Sequence, residues 1–146
     1  MKNILMVCLG NICRSPMAEG LLKHYSAQEQ LGLNVSSAGL QAVVGFKANA
    51  FSLEIMQKHG VDISAHRARQ MTQEMLLEAD LILVMETWQQ KELGYIFPSA
   101  YGKVHSLGRW GNFEIPDPYR MPLANFQETY SLIEQGMREW KQKIWS

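Results

Sequence analysis

The chain reads as a three-layer α/β fold with a four-stranded parallel sheet flanked by helices. Three observations lead there. Two apolar runs, Ile4-Leu5-Met6-Val7 and Leu81-Ile82-Leu83-Val84-Met85, show no polar alternation and so read as strands buried on both faces. Helical spacings separate these runs from two shorter β-prone segments, and strands alternating with helices build parallel sheets. The first run also leads through a glycine- and asparagine-containing turn straight into a helix, a strand–loop–helix unit that such sheets repeat. At 146 residues, with no repeat, low-complexity stretch or linker, residues 1–146 are expected to form one domain.

Each element has its own signal. Met17, Leu21, Leu22 and Tyr25 fall on one helical face, giving an amphipathic helix over about 17–28 with Pro16 in its first turn. Residues 33–38 are β-prone and end at Gly39. Residues 40–49 lack a helical period and expose several apolar side chains, as a pocket wall does. Asn49 is placed to cap a helix over 50–58, which Gly60 stops, and Thr72 caps a shorter helix. After the strand at 81–85 come a helix over 87–93 and a fourth strand over 103–107. Phe126, Tyr130, Ile133, Met137, Trp140 and Ile144 step by four and three, so the last helix turns that face to the core.

Composition narrows the function classes. Fourteen basic residues balance fourteen acidic ones, which gives no overall field to draw nucleic acid or an anionic membrane. No apolar stretch is long enough to span a bilayer, and Met1-Lys2-Asn3 leads into the first strand without a signal-peptide core. A cytoplasmic protein, not inserted in a membrane, is expected. Cys8 and Cys13 are too few and too close for a disulfide framework and point to chemistry instead.

That chemistry belongs to Cys8-Leu9-Gly10-Asn11-Ile12-Cys13-Arg14-Ser15-Pro16. The cysteine sits at a strand end, and the arginine six residues on sits where the helix begins. Gly10 and Asn11 between them tolerate positive φ. Such a turn wraps main-chain N–H groups around an anion at a helix N-terminus and favours a thiolate at its base. The segment is therefore a phosphate-binding loop with a nucleophile. The Arg14 fork can bind two equatorial phosphoryl oxygens, the N–H groups of residues 9–15 the remaining charge, and the Ser15 hydroxyl the Cys8 sulfur.

This loop resembles the signature of the low-molecular-weight protein tyrosine phosphatases, and the likeness runs through nearly the whole chain. Ser37-Ala38-Gly39, His59-Gly60, His66-Arg67-Ala68-Arg69-Gln70, Asp80-Leu81-Ile82-Leu83-Val84-Met85 and Asp117-Pro118-Tyr119 match further family segments in order. The spacing of Ala38-Gly39-Leu40 and Val43-Val44-Gly45, together with Asp117-Pro118-Tyr119-Arg120, is most like the Gram-negative branch that works with exopolysaccharide and capsule systems. The resemblance implies hydrolysis of phosphotyrosine through a phosphocysteine on Cys8, with Arg14 as phosphate clamp and Asp117 as general acid and then base. It implies that Leu9, Gly10, Asn11, Ile12 and Cys13 bind the phosphoryl group, and that Leu40 and Tyr119 wall the ring pocket. It further implies that Asn11 takes positive φ and ties its side chain to Ser37 and His66. No cofactor or metal is implied, and His24, His59 and His105 lack metal-site spacing. Cys13 is open to two readings: a partner for oxidised Cys8 in a reversible disulfide, or a small core residue. The implied substrate is an autophosphorylated bacterial tyrosine kinase, and a monomer is expected.

Two rival functions are open to test. An arsenate reductase on the same scaffold needs further cysteines downstream, and none follows Cys13. A non-catalytic phosphotyrosine-binding module would need neither Cys8 nor Asp117.

Overall fold

The computed structural model describes residues 1–145. Its sheet has four parallel strands, β1 (Asn3–Cys8), β2 (Asn34–Gly39), β3 (Leu81–Val84) and β4 (Val104–Ser106), in the order β2-β1-β3-β4. Five α-helices accompany them: α1 (Arg14–Glu29), α2 (Ala50–Lys58), α3 (Gln73–Glu78), α4 (Thr87–Ile96) and α5 (Leu123–Ile144). Three-residue-per-turn helices at Pro98–Lys103 and Arg109–Gly111 lie in the connections to and from β4.

The sheet is buried on both faces, as its unbroken apolar strands require. Ile4, Met6 and Cys8 of β1 pack with α1, α2 and α5, through Met17, Leu22, Met56, Phe126, Ile133 and Met137. Leu5 and Val7 point the other way, toward Leu76 of α3 and Leu93 of α4. The period-2 alternation of a strand thus feeds two separate cores. Each fully buried side chain of this size contributes about 1.5–3 kcal/mol.

Helix boundaries follow local chemistry. Asn49 caps α2 by accepting from Phe51 N–H, and Thr72 caps α3 by accepting from Met75 N–H. Gly60 stands at φ 78° just past α2, a left-handed position that glycine fills without strain. α4 starts on a reciprocal capping box between Glu86 and Gln89. In α5, Phe126, Tyr130, Ile133, Met137 and Trp140 are buried.

The first helix departs from its expected form. It begins at Arg14, three residues early, and it is not simply amphipathic. Arg14, Ser15, Pro16, Met17, Ala18, Gly20, Leu21 and Leu22 are all buried, because β1, β2, α2 and α5 enclose its first turns. Pro16 fits as the third helical residue, since the first four N–H groups of a helix have no partner within it.

The strand order decides where the site lies. From β1 the chain crosses to β2 on one side, and later enters β3 on the other. The crevice beyond the C-terminal ends of β1 and β3 is therefore the switch point at which such sheets bind ligands. Cys8 closes β1 there.

Candidate active site

Residues 9–13 carry the chain from β1 into α1 by way of Asn11, which stands at φ 61°, a region asparagine tolerates. The loop carbonyls are held from outside. Leu40 N–H donates to Cys8 O (3.0 Å), Gln41 N–H to Leu9 O (2.9 Å), Val43 N–H to Gly10 O (3.2 Å) and Asn49 N–H to Ile12 O (2.8 Å). His66 Nε2 meets Asn11 O at 2.7 Å, and Ser52 Oγ donates to Cys13 O at 3.3 Å. In a trans peptide the next N–H points opposite to the carbonyl. Fixing six successive carbonyls outward therefore aims the N–H groups of residues 9–14 inward, into a concave anion nest at the start of α1. Gly39 makes the close approach possible: a Cβ there would lie 2.6 Å from Leu9 O and 3.1 Å from Asn11 Cβ.

Side chains brace the same loop. Asn11 Nδ2 donates to Ser15 Oγ (2.8 Å) and Ser37 Oγ (2.9 Å), while its Oδ1 accepts from Arg69 N–H (2.9 Å). Ser37 Oγ in turn donates to Glu19 Oε1. Ser15 Oγ, already accepting from Asn11, keeps its hydrogen for Cys8 Sγ 2.9 Å away. The expected tie from the Asn11 side chain to Ser37 is present. His66, however, reaches the Asn11 main-chain carbonyl, and that carbonyl can only accept, so His66 Nε2 carries the proton.

Arg14 is 1% exposed and is fixed at one nitrogen. That Nη donates to Glu86 Oε2 (2.9 Å) and to Ile115 O (2.8 Å). The other Nη lies 3.6 Å from Asp117 Oδ2, and Nε is buried without a hydrogen-bond partner. A buried orphan donor costs about 1–3 kcal/mol, and an oxyanion in the nest would satisfy it. Glu86 also accepts from Trp88 Nε1 at 3.0 Å, so its carboxylate is held from two sides.

Asp117 follows Pro116 on the loop between β4 and α5, and its Oδ1 accepts from Tyr119 N–H at 3.0 Å. A cleft of about 190 Å³ is lined by Cys8, Leu9, Gly10, Ile12, Cys13 and Arg14, with Gln41, Val43, Asp117 and Tyr119 around it. Two roomier clefts, of about 630 and 500 Å³, lie along the outer side of β2 and have no cysteine in their walls; the chemistry selects the small one. Leu40 does not line it. Because Gly39 is still paired, Leu40 turns back against the core beside α3 and α4, and Gln41 and Val43 form the wall instead. Cys13 packs in the core and lines the cleft as well, and both cysteines are free thiols. Burial, with the Asp117 carboxylate and the Cys8 sulfur adding to it against Arg14, pushes the Cys13 thiol up to about 12.

Glu86, Trp88, Glu19 and Gln41 are not among the residues named from the sequence, and Arg69 and Val43 enter there only within family segments, without a role. Glu86 alone carried a signal: a carboxylate one residue past a buried strand, at the sheet end where the loop sits. No group of three or more His, Cys, Asp or Glu among the described residues could hold a metal ion.

Comparison with known proteins agrees with this geometry. Residues 3–145 match the family of low molecular weight phosphotyrosine protein phosphatases. Among curated relatives, the low molecular weight protein-tyrosine-phosphatase Ptp of Acinetobacter johnsonii is 45% identical over 143 residues, covering 98% of each chain. Wzb of Escherichia coli K12, of the same description, is 42% identical over 144 residues, covering 98% of this chain and 95% of its own. The solved structure of Vibrio vulnificus Wzb in complex with benzylphosphonate superposes with a TM-score of 0.92 at 36% identity, over 98% of this chain and 99% of that one. The chain belongs to the low molecular weight phosphotyrosine protein phosphatase family.

Proposed function

We propose that this chain hydrolyses phosphotyrosine in proteins through a phosphocysteine intermediate. The observation that carries the reading is the inward-facing nest above Cys8, with the orphan Arg14 Nε beside it and Asp117 across the cleft. Arg14 Nε and its second Nη, the one facing Asp117, bind two phosphoryl oxygens, and the loop N–H groups bind the third. The Cys8 thiolate attacks phosphorus in line as the P–O bond to the phenol breaks, and Asp117 gives its proton to the departing oxygen. Asp117, now a carboxylate, takes a proton from water, which attacks phosphorus. The S–P bond breaks, and Ser15 stabilises the returning thiolate. Inorganic phosphate leaves. That Vibrio vulnificus Wzb was solved in complex with benzylphosphonate, an arylmethyl phosphonate, supports an aryl phosphate as the substrate class.

Phosphate release from phosphotyrosine by wild type, Cys8→Ser and Asp117→Asn tests the roles. Cys8→Ser is expected to fall to background, and Asp117→Asn to lose about 10²- to 10³-fold in rate. Activity retained by Cys8→Ser would end this reading and leave the arsenate-reductase and binding-module alternatives to be assayed. Tyr119 and Val43 grip the ring, an aromatic contact being worth about 1 kcal/mol. The resemblance to the exopolysaccharide branch supports an autophosphorylated bacterial tyrosine kinase as the substrate, and we read the protein that acts on it as a cytoplasmic monomer. Substrate trapping with Cys8→Ser in the native cell tests that partner. Recovery of phosphoproteins that are not kinases would overturn it.

A further inference from the structure

We propose that Glu114 is a positioning residue that latches the Asp117 loop to the start of α4, and so sets how well the proton reaches the leaving oxygen. The proposal rests on the phosphatase reading above and concerns a residue that touches neither phosphate nor ring.

Glu114 Oε1 accepts from Thr87 N–H at 2.6 Å. Thr87 is the first residue of α4, so its N–H has no partner within the helix, and the helix end favours a carboxylate. The bond pulls the Glu114 carboxyl below the usual carboxylate range, with the Thr87 side chain contributing as well. One residue on, Ile115 N–H donates to Met85 O at 3.0 Å, and Ile115 O accepts from Arg14 at 2.8 Å. Residues 114 and 115 are thus fixed by three hydrogen bonds, two to the β3–α4 corner and one to Arg14 at the start of α1. Two residues further stands Asp117.

Beyond that point the hold is weaker. The contact from Thr129 Oγ1 to Pro116 O is 3.5 Å long. Asp117 holds its own loop through Tyr119 N–H, and Arg120 is in the left-handed region at φ 66°. With Pro116 and Pro118 stiffening the segment, the position of the Asp117 carboxyl is inherited from where residues 114 and 115 are pinned. The same corner carries Glu86, which holds Arg14. Acid and phosphate clamp are therefore referred to one rigid point.

A loose acid matters in proportion to how much the leaving group needs its proton. p-Nitrophenolate departs almost unaided, whereas phenolate and tyrosinate do not. The test compares kcat/KM, which reports steps up to phenol release, for p-nitrophenyl phosphate and phenyl phosphate. Glu114→Ala is expected to lose about tenfold or more on phenyl phosphate and less than about threefold on p-nitrophenyl phosphate. Glu114→Gln, which keeps an acceptor oxygen, is expected to stay within about twofold of wild type on both.

Thr87→Pro removes the donor from the other side. Proline is well suited to the first helical position, and Glu86 before it is already extended at φ −134°, ψ 152°, as a pre-proline residue must be. It should reproduce the Glu114→Ala pattern, and the double variant should add nothing further. Equal losses on both substrates, or none, would overturn the latch while leaving the phosphatase reading intact. A wild-type protein inactive on both would take down the reading and the latch together. Should Glu114→Ala fail to fold, Thr87→Pro alone decides.

Discussion

Cys8 and Cys13 share one loop and one cleft, yet their surroundings separate them chemically. Cys8 meets the Ser15 hydroxyl at 2.9 Å and the converging N–H groups of the nest. Cys13 faces the core, and its thiol is pushed up to about 12 by burial first and by Asp117 and Cys8 next. A raised value means that Cys13 stays protonated, and hence unreactive, at every pH up to the alkaline range. Iodoacetate at pH 7 is therefore expected to alkylate Cys8 and leave Cys13 untouched, with inorganic phosphate protecting Cys8. Peptide mass mapping reads both sites, and label on Cys13 at a rate matching Cys8 would contradict the assignment. Of the residues named from the sequence, Cys8, Arg14 and Asp117 come together around one cleft. Residue type and spacing pointed to Cys8 and Arg14, because a nucleophile and a planar fork have few substitutes, whereas Asp117 followed only from the family resemblance of Asp117-Pro118-Tyr119.

At the scale of elements, the segment after β2 is more than a pocket wall. Its N–H groups at 40, 41, 43 and 49 hold four of the loop carbonyls, and Gly39 lets the two segments touch. A methyl at Gly39 would meet Leu9 O at 2.6 Å, a main-chain atom that can only yield by shifting the nest. Gly39→Ala is expected to lower kcat/KM by about tenfold or more, a misplacement effect, and to cost about 1–3 kcal/mol in stability. Gly102→Ala, where a Cβ meets nothing within 4 Å, serves as the control and should match wild type. Steady-state kinetics beside urea melts measure both, and a fully active Gly39→Ala would show that the loop adapts. None of this collar was legible in the sequence, since it depends on the direction of peptide groups and not on side-chain type. The swap of Leu40 for Gln41 and Val43 has the same origin: one more paired residue at Gly39 turns Leu40 from the cleft to the core. The strands and α5 were legible because burial on two faces and on one stripe leave different apolar patterns. α1 departs from the amphipathic form that its spacing predicts because helices on one side and sheet on the other enclose it, which a single-face pattern cannot express.

At the scale of the molecule, the sheet brings together residues that lie far apart in the chain, and its central strand needs anchoring at both ends. The C-terminal end of β1 is held by the site itself. Its N-terminal end is held by Asp80, whose Oδ2 accepts from Lys2 N–H and Asn3 N–H, each at 2.9 Å. Asp80 precedes β3, so one carboxylate aligns the starts of two neighbouring strands, and Asp80 N–H closes the clasp on Asn3 O at 2.7 Å. These bonds, that to Asn3 first, hold the Asp80 carboxyl below its ordinary value of 3.8. A folded value below the unfolded one contributes stability that is complete above the unfolded value and is lost as pH falls through the folded one. The group is exposed, which keeps the effect small. Asp80→Asn retains an acceptor oxygen but no charge, so its stability cannot respond to pH at this position. Urea midpoints of wild type and Asp80→Asn should differ most near pH 6 and converge toward pH 3, every other titrating group being common to both. A gap that stays constant across that range would mean that Asp80 holds the strand starts by shape alone, with no part played by its charge.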